Sequence, residues 1–164
     1  MEKRLSPEAQ PGTADNQARP LVIGWREYVG FPDWAIRRVK VKIDTGARTS
    51  ALDVARYEVV GDETAGLMAR LFLSLERKHP ERLAAVETPV LRMVAVRNSS
   101  GAWEERPLVE ATVRLGPVTK RIHLTITNRA AMRFRMILGR KALENDFVVD
   151  VSQQYLLKKV DSSK

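Results

Sequence analysis

From Val39 to Ile43 the chain alternates strictly, with Val39, Val41 and Ile43 on one side and Lys40 and Lys42 on the other. A period of two belongs to a β-strand with one face in a core and one in water, because helical apolar positions recur every three or four residues. The alternation runs directly into Asp44-Thr45-Gly46. There a residue without Cβ lets the backbone turn sharply. A rigid strand thus delivers a carboxylate at its end. Taken alone, these three residues describe an ordinary turn, since Asp and Gly are both common in turns.

The rest of the chain repeats the pattern of short strands. Residues 20–29 read as a first strand, broken at Gly30-Phe31-Pro32-Asp33. Beyond the Asp44 turn, residues 49–60 re-enter the sheet and stop at Gly61-Asp62, and residues 67–78 place Leu71, Leu73 and Leu75 at alternate positions. His79 to Arg82 is a loop, and residues 90–97 form a strand closed by Asn98-Ser99-Ser100-Gly101. Residues 103–115 and 118–128 flank Gly116-Pro117 as the two arms of a β-hairpin. Met136 to Leu138 is a short buried strand, residues 140–145 form a single short helix, and residues 147–150 and 155–157 are closing strands. Many short strands and one late helix predict an all-β barrel or sandwich. A length of 164 residues suits one domain with its own core. Residues 1–19 are polar, carry two prolines and lack periodicity, so they read as a disordered tail before a domain spanning 20–160.

Several chemistries are excluded by composition. No run of about 18 apolar residues is present, so no membrane span is expected, and no apolar stretch follows the N-terminus to make a secretory signal. A cytoplasmic location is the default. With no cysteine, disulfides, thiolate metal sites and cysteine nucleophiles drop out. The two histidines, His79 in a loop and His123 on the polar face of a strand, lack a metal-ligand spacing and read as exposed or structural. No P-loop and no Gly-x-Gly-x-x-Gly occurs, so no metal or cofactor is expected.

The net charge is +8, and the cations are clustered. Arg129, Arg133, Arg135, Arg140 and Lys141 fall together with no acid between them, while Arg37, Arg38, Lys40, Lys42 and Arg48 surround the Asp44 strand. Such clusters attract an acidic polypeptide or a nucleic acid. Aromatics make up only 6% of the chain, and Phe134 alone interrupts the later cluster. That argues against nucleic acid, whose readers interleave aromatics for base stacking.

Carboxylate chemistry remains. Aspartic proteolysis uses two aspartates sharing one proton, because two like charges at about 3 Å cannot both ionise. The chain carries one Asp-Thr-Gly and no second Asp-Thr-Gly or Asp-Ser-Gly. A two-fold homodimer would supply the other copy at its axis.

Ile43-Asp44-Thr45-Gly46-Ala47 resembles the active-site loop of retroviral-type aspartic proteases. Met136-Ile137-Leu138-Gly139-Arg140-Lys141-Ala142-Leu143 resembles their second signature, in the expected order. More closely, the chain resembles the bacterial retropepsin-like family often labelled "ATP-dependent zinc protease". The matching segments include Gly24-Trp25-Arg26-Glu27-Tyr28-Val29, Glu105-Arg106-Pro107-Leu108-Val109, Leu124-Thr125-Ile126-Thr127-Asn128-Arg129 and Val149-Asp150. Neither an ATP motif nor a zinc site is found to match that label. The resemblance implies a closed or partly open β-barrel with one short C-terminal helix. It also implies an aspartic endopeptidase acting as a homodimer on a polypeptide. Asp44 would be the catalytic acid/base, Thr45 would buttress the loop through its hydroxyl, Gly46 would let backbones approach at the dimer axis and Ala47 would line the cleft floor. Ile137, Leu138, Gly139 and Arg140 would cross behind the Asp44 loop and support it. The substrate-covering flap would lie between Leu67 and Arg97. Some relatives resemble partners of glutamate ligases, which implies an acidic or glutamate-tagged substrate. The competing reading is a non-catalytic β-barrel module that holds an acidic protein or RNA on its basic surface.

Overall fold

The computed structural model describes residues 19–62, 64–98, 100–128 and 134–158. In chain order they form β1 (Leu21–Gly24), β2 (Arg26–Phe31), β3 (Ile36–Ile43), β4 (Ser50–Asp53), β5 (Arg56–Asp62), β6 (Gly66–Ser74), β7 (Leu83–Arg97), β8 (Trp103–Leu115), β9 (Val118–Thr127), β10 (Met136–Leu138), α1 (Arg140–Leu143) and β11 (Phe147–Asp150). The expected tail lies outside the described residues up to position 18.

Six strands, in the order β2-β3-β10-β4-β9-β8, close into a barrel when Gly30 of β2 pairs with Arg114 of β8. The alternation read from the sequence is its lining. Val39, Val41 and Ile43 from β3, Val109, Ala111, Val113 and Leu115 from β8, and Ile122, Leu124 and Ile126 from β9 are all buried. Outside the ring the sheet continues from β8 through β7 and β6 to β5. A separate parallel pair joins β1 to β11.

Five expectations are corrected. The first strand is two, split at Trp25, whose amide donates to the Gln153 carbonyl at 2.9 Å while its own carbonyl accepts from Ile43 at 2.8 Å. The split follows from a close approach: a Cβ on Gly24 would lie 2.5 Å from the Gln153 carbonyl oxygen. The break falls at the 3-10 turn Pro32–Trp34, because Gly30 and Phe31 stay in β2. β7 starts at Leu83 rather than at Val90, its first half pairing with β6. Residues 155–157 are not a strand, since Tyr155 takes a left-handed φ of 51°. The helix also stops at Leu143, and Asn145 is left-handed at 72°.

A long arm leaves the barrel where the flap was expected. β7 pairs with β6 only up to Val90, and β8 pairs with β9 only from Leu108. Among the described residues, Met93–Arg97 and Trp103–Pro107 therefore have only each other as ladder partners. The Asn98 side-chain oxygen closes the turn by accepting from the Ser100 and Ala102 amides, and Gly101 adopts a φ of 85° there. The protruding hairpin is thus β7–β8, while residues 67–74 belong to the fixed sheet as β6.

Glu27 fastens the end of β1 to the segment that follows β11. It is 1% exposed, and its Oε1 accepts from the amides of Gly24 at 3.1 Å, Leu156 at 2.7 Å and Leu157 at 3.4 Å. A buried carboxylate is costly unless its lone pairs are filled, and these backbone donors fill them. Glu27→Ala strands those donors, so urea unfolding should show a loss of about 3 kcal/mol. A loss below about 1 kcal/mol would mean the clasp contributes little.

Candidate active site

Asp44 is the first residue beyond β3, and its position is set from behind. Its amide donates to the Leu138 carbonyl at 2.9 Å, which continues the parallel β3–β10 ladder by one bond. Its carbonyl accepts from Ala47 at 3.2 Å, and its Oδ1 accepts from the Gly46 amide at 3.0 Å. The carboxylate thus organises its own turn, as Asp side chains do when they bond a backbone amide two residues on. A Cβ at Gly46 would stand 3.2 Å from that Oδ1. Asp44 is half-buried, whereas Thr45 and Gly46 are exposed.

β10 lies between β3 and β4, parallel to the first and antiparallel to the second. Met136 and Leu138 bury completely or nearly so, while Ile137 faces the other way and is half-buried. The chain then passes under the Asp44 loop at Gly139. A Cβ there would lie 2.8 Å from the Thr49 carbonyl carbon and 2.9 Å from the Ala47 oxygen, so only glycine permits the crossing. Four hydrogen bonds result. The amides of Gly139, Arg140 and Lys141 reach the Ser50 hydroxyl at 3.0 Å, the Ala47 carbonyl at 2.8 Å and the Arg48 carbonyl at 3.1 Å. The Arg140 guanidinium donates to the Thr45 carbonyl at 3.0 Å.

The structure therefore brings Asp44, Thr45, Gly46, Ala47, Gly139 and Arg140 into one hydrogen-bonded unit, with Ile137 and Leu138 forming the strand behind it. Thr45 enters it through its carbonyl. Its hydroxyl makes no hydrogen bond among the described residues. Ser50 was not singled out from the sequence, yet it is 2% exposed and receives the Gly139 amide. The available signal was a hydroxyl in the position where the alternation with Leu52 calls for an apolar side chain.

Around this unit Lys42, Arg48, Arg140 and Lys141 are exposed cations, and Lys141 lies 3.6 Å from Glu144. Arg129 and Arg133 of the second basic cluster fall outside the described residues. His79 is exposed beside Glu81 at 3.2 Å, and His123 is exposed on β9. Among the described residues, no group of three or more His, Cys, Asp or Glu side chains is placed to hold a metal ion.

A closed barrel with an Asp-Thr-Gly loop braced by an Ile-Leu-Gly-Arg strand defines a retropepsin-like protein. The chain belongs to the RimB-like family, described as retropepsin-like aspartic endopeptidase RimB, whose model matches residues 22–160. The same fold occurs in the crystal structure of a protein of unknown function (DUF785) from Legionella pneumophila. That match has a TM-score of 0.67 and 20% identity, and covers 83% of this chain and 97% of that one. Curated relatives carry a different name. A probable alpha-L-glutamate ligase from Desulfotalea psychrophila is 32% identical over 142 residues, covering 85% of this chain and 30% of that protein. One of the same name from Parasynechococcus marenigrum is 34% identical over 137 residues, covering 80% and 28%. The chain thus spans under a third of the length of the curated relatives it matches.

Two substitutions test the brace. Ser50→Ala removes one acceptor from a buried amide and should lower stability by about 1–2 kcal/mol. Gly139→Ala drives a methyl into backbone and should cost more, on the order of 3 kcal/mol. Chemical denaturation measures both, and the reverse order would contradict the crossing described.

Proposed function

We propose that the protein is an aspartic endopeptidase whose active site forms where the Asp44 loops of two copies meet. The observation that carries this reading is the bracing of the Asp44 turn by Gly139, Arg140 and Lys141, which fixes one half-buried carboxylate beside the exposed Thr45 and Gly46. A single Asp44 is half of an acid–base pair. A two-fold axis beside the exposed Gly46 would place its equivalent opposite, at the few-ångström spacing where one proton is shared. The charged carboxylate then takes a proton from water as its oxygen attacks the scissile carbonyl carbon. The neutral one protonates the carbonyl oxygen. Collapse of the tetrahedral intermediate returns a proton to the amine nitrogen as the C–N bond breaks. Holding the turn with backbone bonds means that little reorganisation is needed in the reaction.

An acidic or glutamate-tagged polypeptide is the substrate class this reading favours, met in the cytoplasm. Lys42, Arg48 and Arg140 beside the loop would draw in an acidic chain. The ligase name of the longer relatives supports a setting in which glutamate is ligated, with this chain acting on a glutamate-bearing product. The +8 net charge also supports a second reading, a non-catalytic module that retains an acidic chain.

Asp44→Asn separates the two. Cleavage of a glutamate-rich peptide, followed by mass spectrometry, should fall at least about 1,000-fold with the circular dichroism spectrum unchanged. Retained cleavage would remove Asp44 from the chemistry, and binding without any cleavage by the unmodified protein would favour the module. Light scattering should give twice the chain mass of 18.5 kDa. A strict monomer that still cleaves would sink the shared-site mechanism.

A further inference from the structure

The seam that closes the barrel carries a second feature, independent of the reading above. Gly30 of β2 faces β3 on one side and Arg114 of β8 on the other. β3 has one residue too many at this point, because Val29 pairs with Val39 while Phe31 pairs with Ile36. Arg37 and Arg38 therefore oppose Gly30 together. A bulge of this kind interrupts the two-residue alternation and re-aims a side chain. Both arginines are exposed as a result, where a regular strand would turn one of them into the core. A Cβ on Gly30 would stand 3.0 Å from the Arg37 carbonyl oxygen, so the bulged backbone of β3 lies close against a residue that has no side chain.

Arg37, Arg38 and Arg114 line a cavity of about 610 Å³ together with Tyr28, Gly116 and Lys158. Its wall has one acid, Glu27, whose Oε1 is already occupied by three backbone amides. Among the described residues none of the three arginines forms an ion pair. The Arg38 guanidinium carbon lies over the Tyr28 ring, 3.8 Å from its centroid. Burial pushes the Tyr28 hydroxyl up, but hydrogen bonding and charge from Arg38, with Lys40, outweigh it and hold the group below its ordinary value. The local field is therefore positive. Arg114 spends its Nε only on a long 3.5 Å contact with the Gly116 carbonyl.

Three guanidiniums gathered from two strands outnumber the single acid, Glu27, among the residues lining the cavity; they repel one another, and an anion between them relieves that cost. Their planar forks match the paired oxygens of phosphate or carboxylate. The volume is that of a small-molecule site, within the roughly 300–1,000 Å³ range. Arg38 and Asp44 are six residues apart in sequence and joined by extended β3, so the cavity lies roughly 20 Å from the proposed catalytic carboxylate.

We propose that the cavity at the β3 bulge binds a small polyanion bearing two or more phosphate or carboxylate groups, gripped by Arg37, Arg38 and Arg114. Isothermal titration of the full chain with inorganic tripolyphosphate and with citrate, at fixed ionic strength, tests it. At least one should bind saturably with one site per chain, and which of them binds distinguishes phosphate from clustered carboxylates. Arg37→Ala and Arg114→Ala should each weaken binding about tenfold or more. Arg114→Lys should recover only part, because the charge returns without the fork. All three positions are exposed, so the melting temperature should be unchanged and a binding loss can be read directly. Saturable binding of neither anion, or equal binding by the alanine variants, would overturn the proposal. Tighter binding of a hexaglutamate peptide than of either anion would assign the cavity to a polypeptide and overturn it as well.

Discussion

The Asp44 turn is held by a strand that arrives from more than ninety residues further along the chain. β10 inserts between β3 and β4, and Gly139 then passes so close beneath the turn that no side chain fits. Without that insertion β3 and β4 would be separate edges, and the ring of six strands would have a gap beside the carboxylate. The continuity of the ring on this side and the placement of Asp44 thus rest on the same strand. The amides just past β10 would be orphans at the start of α1, and they are satisfied by Ala47, Arg48 and Ser50. The bonds that cap the short helix are those that fix the loop.

The backbone amides of Gly139, Arg140 and Lys141 hold the turn from the β10 side, while Thr45 and Gly46 are exposed and the Arg140 guanidinium reaches the Thr45 carbonyl at the surface. Glu27 plays a corresponding part elsewhere, tying the residues that follow Tyr155 to β2, the strand that carries the closure seam. The Arg26 guanidinium adds to this by lying over both Trp25 and Tyr155, at 4.8 and 5.0 Å.

Where side chains answer to a single strand, the sequence was readable. Val39, Val41 and Ile43, and likewise Ile122, Leu124 and Ile126, alternate because each strand has one buried face, and they line the barrel as expected. The order of the Asp44 loop and the Ile137-Leu138-Gly139-Arg140 segment also foretold their meeting. What could not be read depends on partners distant in sequence. The split at Trp25 exists because Gln153 crowds Gly24, and Tyr155 leaves the strand conformation because Glu27 gathers the amides that follow it. The β3 bulge is invisible in Arg37-Arg38, since it is a mismatch of count against β2. The alternation with Leu52 marks Ser50 as a polar residue in an apolar position, but the partner that explains it, the Gly139 amide, lies 89 residues away in sequence.

The central claim is that catalysis belongs to a pair of Asp44 residues, one from each of two copies. Mixing the unmodified protein with its Asp44→Asn variant, after subunit exchange, tests this most directly. If every active site needs both carboxylates, peptide cleavage should fall as the square of the unmodified fraction, leaving about a quarter in an equal mixture. A linear fall to about half would show each Asp44 acting alone, and about three quarters remaining would show that one Asp44 per dimer suffices; either would contradict the account.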